Sequence, residues 1–390
     1  MNYRKSYLLL FSVACIALIN SHAQVPQGAT PAPTNIRAND CPCIFTDNRV
    51  LFKVNAPNAA KVQVNLGKLY DMQKDEKGVW TVTTDPQDPG FHYYSLVIDG
   101  FGFADPASES FYGTGKMSSA VDIPETGADF YTIKDVPHGD IRSKNYFSKS
   151  MNVWRNVNIY TPPGYDQDSK KTYPVLYIQH GGGEDERGWA VQGKTNIILD
   201  NLIAAGKATP MIVVIANGNV TIPGSTAAGG GYNDAAMNAF KEEIIGSVIP
   251  FVEKNYRVKP GISNRAISGL SMGGGQAFYT GLRNTDVFSH VGVFSTGLFG
   301  GINRQPGAAA FDPEAAIPGL LTRPQSFNSK LKVFYISVGE LDPRIEPTKK
   351  LIESFKSKGL KVEFASFPGG HEWQVWRKSL HDFAQKLFKE

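Results

Sequence analysis

The chain has 390 residues, 42% of them hydrophobic, with 40 Lys and Arg against 36 Asp and Glu for a formal charge of +4. That length accommodates two domains and a large buried core. The small positive excess, with no long Lys/Arg run, argues against nucleic-acid binding.

Residues 1–23 have the form of an export leader: Arg4 and Lys5, an apolar Leu8–Leu18 run, and the small-residue site Ser21-His22-Ala23. The apolar run is too short to span a bilayer and no later stretch is long enough, so no membrane insertion is expected. Ser12-Val13-Ala14-Cys15 is a poor lipobox, which favours an exported periplasmic or extracellular protein over a lipid-anchored one. Residues 24–40, rich in Pro, Ala, Gln and Thr, read as a flexible arm. Cys41-Pro42-Cys43 is too tight for an easy disulfide and has no His/Cys partner set, so two free thiols and no metal are expected.

Residues 41–125 read as a small all-β sandwich. Val50, Phe52 and Val54 alternate with polar neighbours, as do Val62, Val64 and Leu66, then Trp80 and Val82, then Tyr94, Leu96 and Ile98 before the Asp99-Gly100 turn. The segments FKVNAPNAAKVQV, KDEKGVWTVTT, GFHYYSLVIDG and ADPAS resemble the immunoglobulin-like early-set modules grouped as carbohydrate-binding module family 48. That resemblance offers aromatics such as Tyr70, Trp80, Phe91, Tyr93 and Tyr94 for stacking on sugars; the alternation places Trp80 and Tyr94 in the core.

From residue 126 to 390 strands and helices alternate, which predicts a mostly parallel sheet covered by helices on both faces. Strands are predicted at Val153–Tyr160, Pro174–Gln179, Met211–Ala216, Val291–Phe294, Val333–Val338 and Val362–Phe367. Helices are predicted at Asn196–Ala205 and Ala239–Tyr256, the latter kinked or ended at Pro250, and through Leu351, Ile352 and Phe355 to a Gly359 cap. A last helix carries Trp373, Trp376, Leu380, Phe383 and Leu387 on one stripe.

Gly269-Leu270-Ser271-Met272-Gly273 joins a predicted strand to a predicted helix. A serine at the tip of so sharp a turn has a strained backbone and an exposed hydroxyl, and small flanking residues let strand and helix pass closely. A serine nucleophile needs a base, and the base an orienting acid. His371, in the Gly-rich loop after Phe367, is the candidate base. Asp342, after the Val333–Val338 strand, is the candidate acid, with Glu340 as its competitor and Asp312 and Glu314 as distant ones. His180-Gly181-Gly182-Gly183 after a strand has the form of an oxyanion loop, which assigns the backbone N–H groups of Gly182 and Met272 to a developing negative oxygen. Trp373 is placed either against the acyl pocket or in the core, and Asn217 is expected to line the cleft.

YIQHGGG with Trp189, FVEKNYRV, RAISGLSMGGGQAF, SVGELD and GGHEWQVWRKSLHDF resemble the esterase D-like enzymes of carbohydrate esterase family 1, and most of all feruloyl esterases of xylan-degrading bacteria. The resemblance implies an α/β-hydrolase fold and a Ser271–Asp342–His371 triad. It also implies no metal or cofactor, and ester substrates on plant cell-wall polysaccharide or feruloylated xylo-oligosaccharide. Acetyl-xylan esterase is the enzymatic alternative, and a catalytically silent glycan-binding protein the alternative from another class. The loops 220–232 (a candidate lid) and 297–324 depart from that pattern, so they are expected to shape substrate choice.

Overall fold

Period-two alternation builds two antiparallel sheets before residue 124. In one, Val50–Asn55 lies between Cys43–Phe45 and Val79–Thr83; in the other, Gly90–Ile98 lies between Val62–Leu66 and Lys116–Ile123. Phe52, Val62, Val64, Trp80, Tyr94 and Leu96 meet between the sheets, with Phe52 and Tyr94 edge to face at 4.8 Å. The structure is a computed structural model that describes residues 25–36, 39–221, 232–301 and 310–389. The expected leader, most of the 220–232 loop and part of the 297–324 loop lie outside the described residues.

The flexible-arm expectation for residues 24–40 does not hold where the chain is described. Ala29–Pro31 pairs antiparallel with Cys43–Phe45, and the Thr34 hydroxyl donates to the Ala120 carbonyl at 2.6 Å. An edge strand needs pairing on one side only, so its proline costs no ladder bond. Cys41 and Cys43 are free thiols with sulfurs 3.2 Å apart, and burial pushes the Cys41 thiol up to about 12.

The rest of the chain forms a second domain. Its elements are β1 (Asp140–Ser148), β2 (Val153–Thr161), β3 (Val175–Gln179), α1 (Thr195–Ala204), β4 (Ile212–Ala216), α2 (Asp234–Glu243) and α3 (Ile249–Asn255). There follow β5 (Arg265–Leu270), α4 (Met272–Arg283), β6 (His290–Phe294), the short α5 (Pro313–Ala316) and α6 (Pro324–Asn328), β7 (Val333–Gly339), α7 (Ile345–Ser357), β8 (Glu363–Phe367) and α8 (Trp373–Ala384). The eight strands lie in the order β1-β2-β4-β3-β5-β6-β7-β8. Pairing is parallel from β4 to β8 and antiparallel at the β1–β2 and β2–β4 edges. This is the α/β-hydrolase arrangement.

Neighbouring strand residues face opposite cores, as Tyr177 on one side and Leu176 and Ile178 on the other illustrate. Helices α2, α3, α4 and α7 cover one face through Phe240, Val252, Phe278 and Phe355. On the other face, α1 and α8 pack Leu199, Trp376 and Phe383 against the sheet, and Phe91 and Phe111 of the sandwich join that same core. Pro250 neither ends nor interrupts the long helix. A π-helical segment, Ile244–Val248, precedes it, and the proline takes the first turn of α3, where its missing N–H is least costly. Strand β1 has no counterpart in the predicted elements: it is an edge strand whose polar residues face solvent and mask the alternation.

Backbone packs closely against backbone where β5 turns into α4. A Cβ on Gly269 would fall 2.4 Å from the Gly273 carbonyl, whereas a Cβ on Gly246, in the π segment, would meet nothing within 4 Å. Gly269→Ala is expected to lower stability by about 1–3 kcal/mol. Gly246→Ala is expected to leave it unchanged or raise it by up to about 1 kcal/mol, both read from urea unfolding midpoints.

Candidate active site

Strand β5 ends at Leu270 and α4 begins at Met272, leaving Ser271 between them at φ 51° and ψ −112°. A non-glycine residue with positive φ is strained, and the surroundings impose the strain here. The Ser271 N–H donates to the Phe294 carbonyl at the end of β6, at 2.8 Å. Gly273 packs against the end of β3, where a Cβ would sit 2.5 Å from the His180 carbonyl. The turn is thus pinned to both neighbouring strands.

His371 and Asp342 come from the loops after β8 and β7 and converge on this turn. His371 Nε2 lies 3.0 Å from Ser271 Oγ, and His371 Nδ1 lies 2.7 Å from Asp342 Oδ2. The second carboxylate oxygen of Asp342 accepts from the Arg344 backbone N–H at 3.0 Å and from Arg344 Nη1 at 2.9 Å. Burial alone would push the Asp342 carboxyl up. The hydrogen bond and charge of His371, with the two Arg344 bonds, outweigh burial and hold it below the ordinary value.

The competing carboxylates lie elsewhere. Glu340 is exposed and accepts only a long 3.4 Å bond from Ser366. Asp312 caps α5, accepting from the N–H groups of Glu314 and Ala315. Glu314 accepts the backbone N–H groups of Gly319, Leu321 and Thr322.

The oxyanion side is built on β3. The Gly218 N–H donates to His180 Nε2 at 2.9 Å, so the ring proton sits on Nδ1 and is donated to the Gly181 carbonyl at 2.7 Å. Burial lowers the His180 pKa and keeps the ring neutral. This neutral histidine braces the loop that presents Gly182. Met272 opens α4, so its N–H has no intrahelical partner. Gly182 lines the same cavity as Ser271, and Met272 follows Ser271 in the chain.

A cavity of about 180 Å³ opens at Ser271 and His371 and is walled by Gly182, Tyr93, Trp373 and Trp376. A larger hollow of about 770 Å³ lies near Tyr131 and Arg377 at the domain junction, but it contains none of the triad. The smaller cavity is the one onto which the Ser271–His371 contact opens, and it is the candidate site. Trp373 is both wall and core: it is buried, lines the cavity, and stacks edge to face with Trp189 at 5.3 Å and Trp376 at 5.2 Å. Trp376 in turn meets the His371 ring edge to face at 5.1 Å.

Asn217, expected in the cleft, is not among the cavity's lining residues. Its amide donates to Glu186 at 2.9 Å and its side-chain oxygen accepts from the Asn219 N–H, which ties it to the support of the His180 loop. Among the described residues no group of three His, Cys, Asp or Glu is placed to hold a metal ion.

Sequence reasoning missed Arg344, Glu184 and Thr114 altogether, and offered Phe91 and Tyr93 for sugar stacking, not for this cavity. Arg344 had a signal, since it lies two residues past the acid, where a backbone N–H can turn back onto the carboxylate. Glu184 and Thr114 had none, and nothing local says that the sandwich docks on this cavity and brings Phe91 and Tyr93 with it. Glu184 is buried, accepts the Gly181 N–H at 3.2 Å and lies 3.4 Å from the Tyr93 hydroxyl.

The Esterase family model matches residues 148–387. The chain is 36% identical over 370 residues to the endo-1,4-beta-xylanase/feruloyl esterase of Xylanibacter ruminicola, aligning 92% of this chain with 47% of that protein. It is 30% identical over 310 residues to endo-1,4-beta-xylanase Y of Acetivibrio thermocellus, aligning 75% of this chain with 27% of that protein. The chain thus spans less than half the length of these two relatives. Among solved structures, the CE1 ferulic acid esterase from Anaeromyces mucronatus superposes with a TM-score of 0.55 at 25% identity, covering 67% of this chain and 95% of that one. The enterochelin esterase of Shigella flexneri superposes with a TM-score of 0.63 at 17% identity, covering 89% and 94%. At that identity the likeness speaks to the fold, and its coverage takes in the sandwich as well.

Burial raises the Glu184 carboxyl from 4.5 to about 7. The folded protein therefore holds this proton more tightly than the unfolded chain, and the associated stability is complete below the unfolded value and is lost as pH rises to and through the folded one. Glu184→Gln, which does not titrate, is expected to flatten the pH dependence of stability across about pH 5 to 8, by up to roughly 3 kcal/mol. Urea unfolding at both ends of that window reads the difference. Asp342 has the opposite sign: its contribution is present above the ordinary carboxylate value and lost only as pH falls below it, so the two effects occupy separate windows.

Proposed function

The chain belongs to the Esterase family, and from that premise we propose that it is an exported serine esterase that releases ferulate or a related hydroxycinnamate from arabinoxylan. Ser271 Oγ attacks the ester carbonyl while His371 Nε2 accepts its proton. Asp342 holds the imidazole by its Nδ1–H and stabilises the cation that forms. The negative oxygen of the tetrahedral intermediate lies between the N–H groups of Gly182 and Met272, each such donor being worth about 3 kcal/mol. His371 then delivers the proton to the departing sugar alkoxide. In the second half of the cycle it takes a proton from water, which attacks the acyl-serine and frees the acid.

The observation that carries this reading is the continuous relay from Ser271 through His371 to Asp342, with bonds of 3.0 and 2.7 Å, opening into an aromatic-walled cavity. A complete relay favours an enzyme over a silent glycan-binding protein. Walls made of Phe91, Tyr93, Trp373 and Trp376 suit a flat aromatic acyl group, whereas acetate would leave most of that apolar surface uncovered. The likeness to the Xylanibacter ruminicola xylanase/feruloyl esterase over 92% of this chain supports a hydroxycinnamate on a plant polysaccharide as the substrate class. Export rests on the leader-like residues 1–23.

Ferulate release from methyl ferulate and feruloylated arabinoxylan oligosaccharides, beside acetate release from acetyl-xylan, tests the proposal. Wild type is expected to release ferulate, and Ser271→Ala is expected to lower kcat by at least about 10⁴-fold with the fold retained. Acetate release alone would reassign the acyl group, and turnover retained in Ser271→Ala would remove the mechanism.

A further inference from the structure

Strand Gly90–Ile98 turns its two sets of side chains to different partners. Tyr94 and Leu96 fill the sandwich core, while Phe91 and Tyr93 pack with the core around α8. Phe91 and Tyr93 also line the cavity that holds Ser271 and His371. A third sandwich residue, Thr114, reaches the same cavity from the turn between Ser110–Gly113 and Lys116–Ile123.

The contact is built from directional bonds. The Tyr93 hydroxyl accepts from Trp373 Nε1 at 3.2 Å and from Gln192 Nε2 at 3.0 Å, and its proton faces Glu184 Oε1 at 3.4 Å. Its tip is seated where a Cβ on Gly113 would fall 2.2 Å away, so residue 113 must be small for the tyrosine to reach the pocket. The Gly115 N–H donates to the Gly183 carbonyl at 2.8 Å, joining the sandwich turn to the oxyanion loop itself. Gly183 has φ +76°, and a Cβ there would lie 2.8 Å from that same Gly115 nitrogen.

Ion pairs then hold the sandwich to α8 and to the start of α1. Fully buried Arg377 meets Asp122 at 3.2 Å, Lys194 meets Asp122 at 3.0 Å, and Lys378 meets Glu125. A buried arginine with a carboxylate partner leaves little freedom for the two domains to slide.

We infer that the sandwich forms one wall of the acyl pocket, with Tyr93 and Thr114 as the residues of that wall that set which acyl groups are accepted; the inference rests on the esterase reading above. Thr114 sits at φ +55°, a conformation glycine adopts freely, so Thr114→Gly opens the wall without straining the turn. Tyr93→Ala opens it further.

The experiment uses the full chain and compares kcat/KM for p-nitrophenyl acetate with that for p-nitrophenyl octanoate, and for methyl p-coumarate with that for methyl sinapate. Thermal unfolding confirms that each variant is folded. The ratio of bulky to small acyl group is expected to rise at least about threefold in either variant, as pocket contacts of this size discriminate at that level or above. Ratios that stay within threefold of wild type in folded Thr114→Gly, with Tyr93→Ala either equally unchanged or unfolded, overturn the inference. So does a change confined to polymeric arabinoxylan with the small-ester ratios untouched, because that is the signature of a sugar-stacking surface. The aliphatic pair keeps the two proposals separable. If wild type turns over p-nitrophenyl esters but no hydroxycinnamate, the substrate reading fails while the wall is still tested by the octanoate-to-acetate ratio.

Discussion

Two backbone turns meet with no side chain between them, and the active-site geometry follows from that contact. Gly269 and Gly273 let the end of β5 and the start of α4 close on the last residues of β3. A strand and a helix joined at this separation cannot be linked by a relaxed residue, so Ser271 is left at φ 51° with its hydroxyl on the cavity side. The same closeness brings the free N–H of Met272 and the His180–Gly183 loop to either side of one serine. A methyl group at either glycine would push backbone against backbone and move Ser271 relative to the His180–Gly183 loop.

Around that turn, electrostatics sorts two carboxyls into opposite states. Asp342 is buried, but His371 and Arg344 satisfy it and it stays ionised, which suits the orienting role proposed for it. Glu184 is also buried, and its hydrogen bonds from Gly181 and Tyr93 do not offset desolvation, so it holds a proton up to about pH 7. Keeping Glu184 neutral beside the oxyanion loop avoids a negative charge where another is to develop. The aromatic series Trp189, Trp373, Trp376 and His371 fixes the imidazole by edge-to-face packing from the core outward.

The sandwich changes character once its docking is known. Trp80 and Tyr94 are core, as their alternation predicts, while Phe91 and Tyr93, offered for sugar stacking, are interface. A buried Arg377–Asp122 pair, the Gly115–Gly183 backbone bond and the Tyr93 hydroxyl network set its position to the precision a substrate pocket needs. On this reading the domain that precedes the hydrolase serves the reaction at the pocket itself.

Several parts of this protein were legible in the residues alone because the constraints behind them are local. Alternation along 50–98 and the buried runs at Val175–Gln179 and Ile212–Ala216 specify strands through the period of the backbone. The paired glycines specify the sharp turn at Ser271, and the order of strand ends after it points to Asp342 and His371. Other parts were not legible, for the converse reason. Ala29–Pro31 looks like an arm until another strand supplies its hydrogen bonds, and β1 hides its alternation behind a solvated edge. Asn217 lies behind the oxyanion loop because Glu186 and Asn219 occupy its amide. Tyr93 reaches Trp373 across 280 residues of chain. Periodicity and turn chemistry act over a few residues and are written into them. Which faces of two domains meet, and therefore what walls the pocket, depends on surfaces that exist only after both have folded.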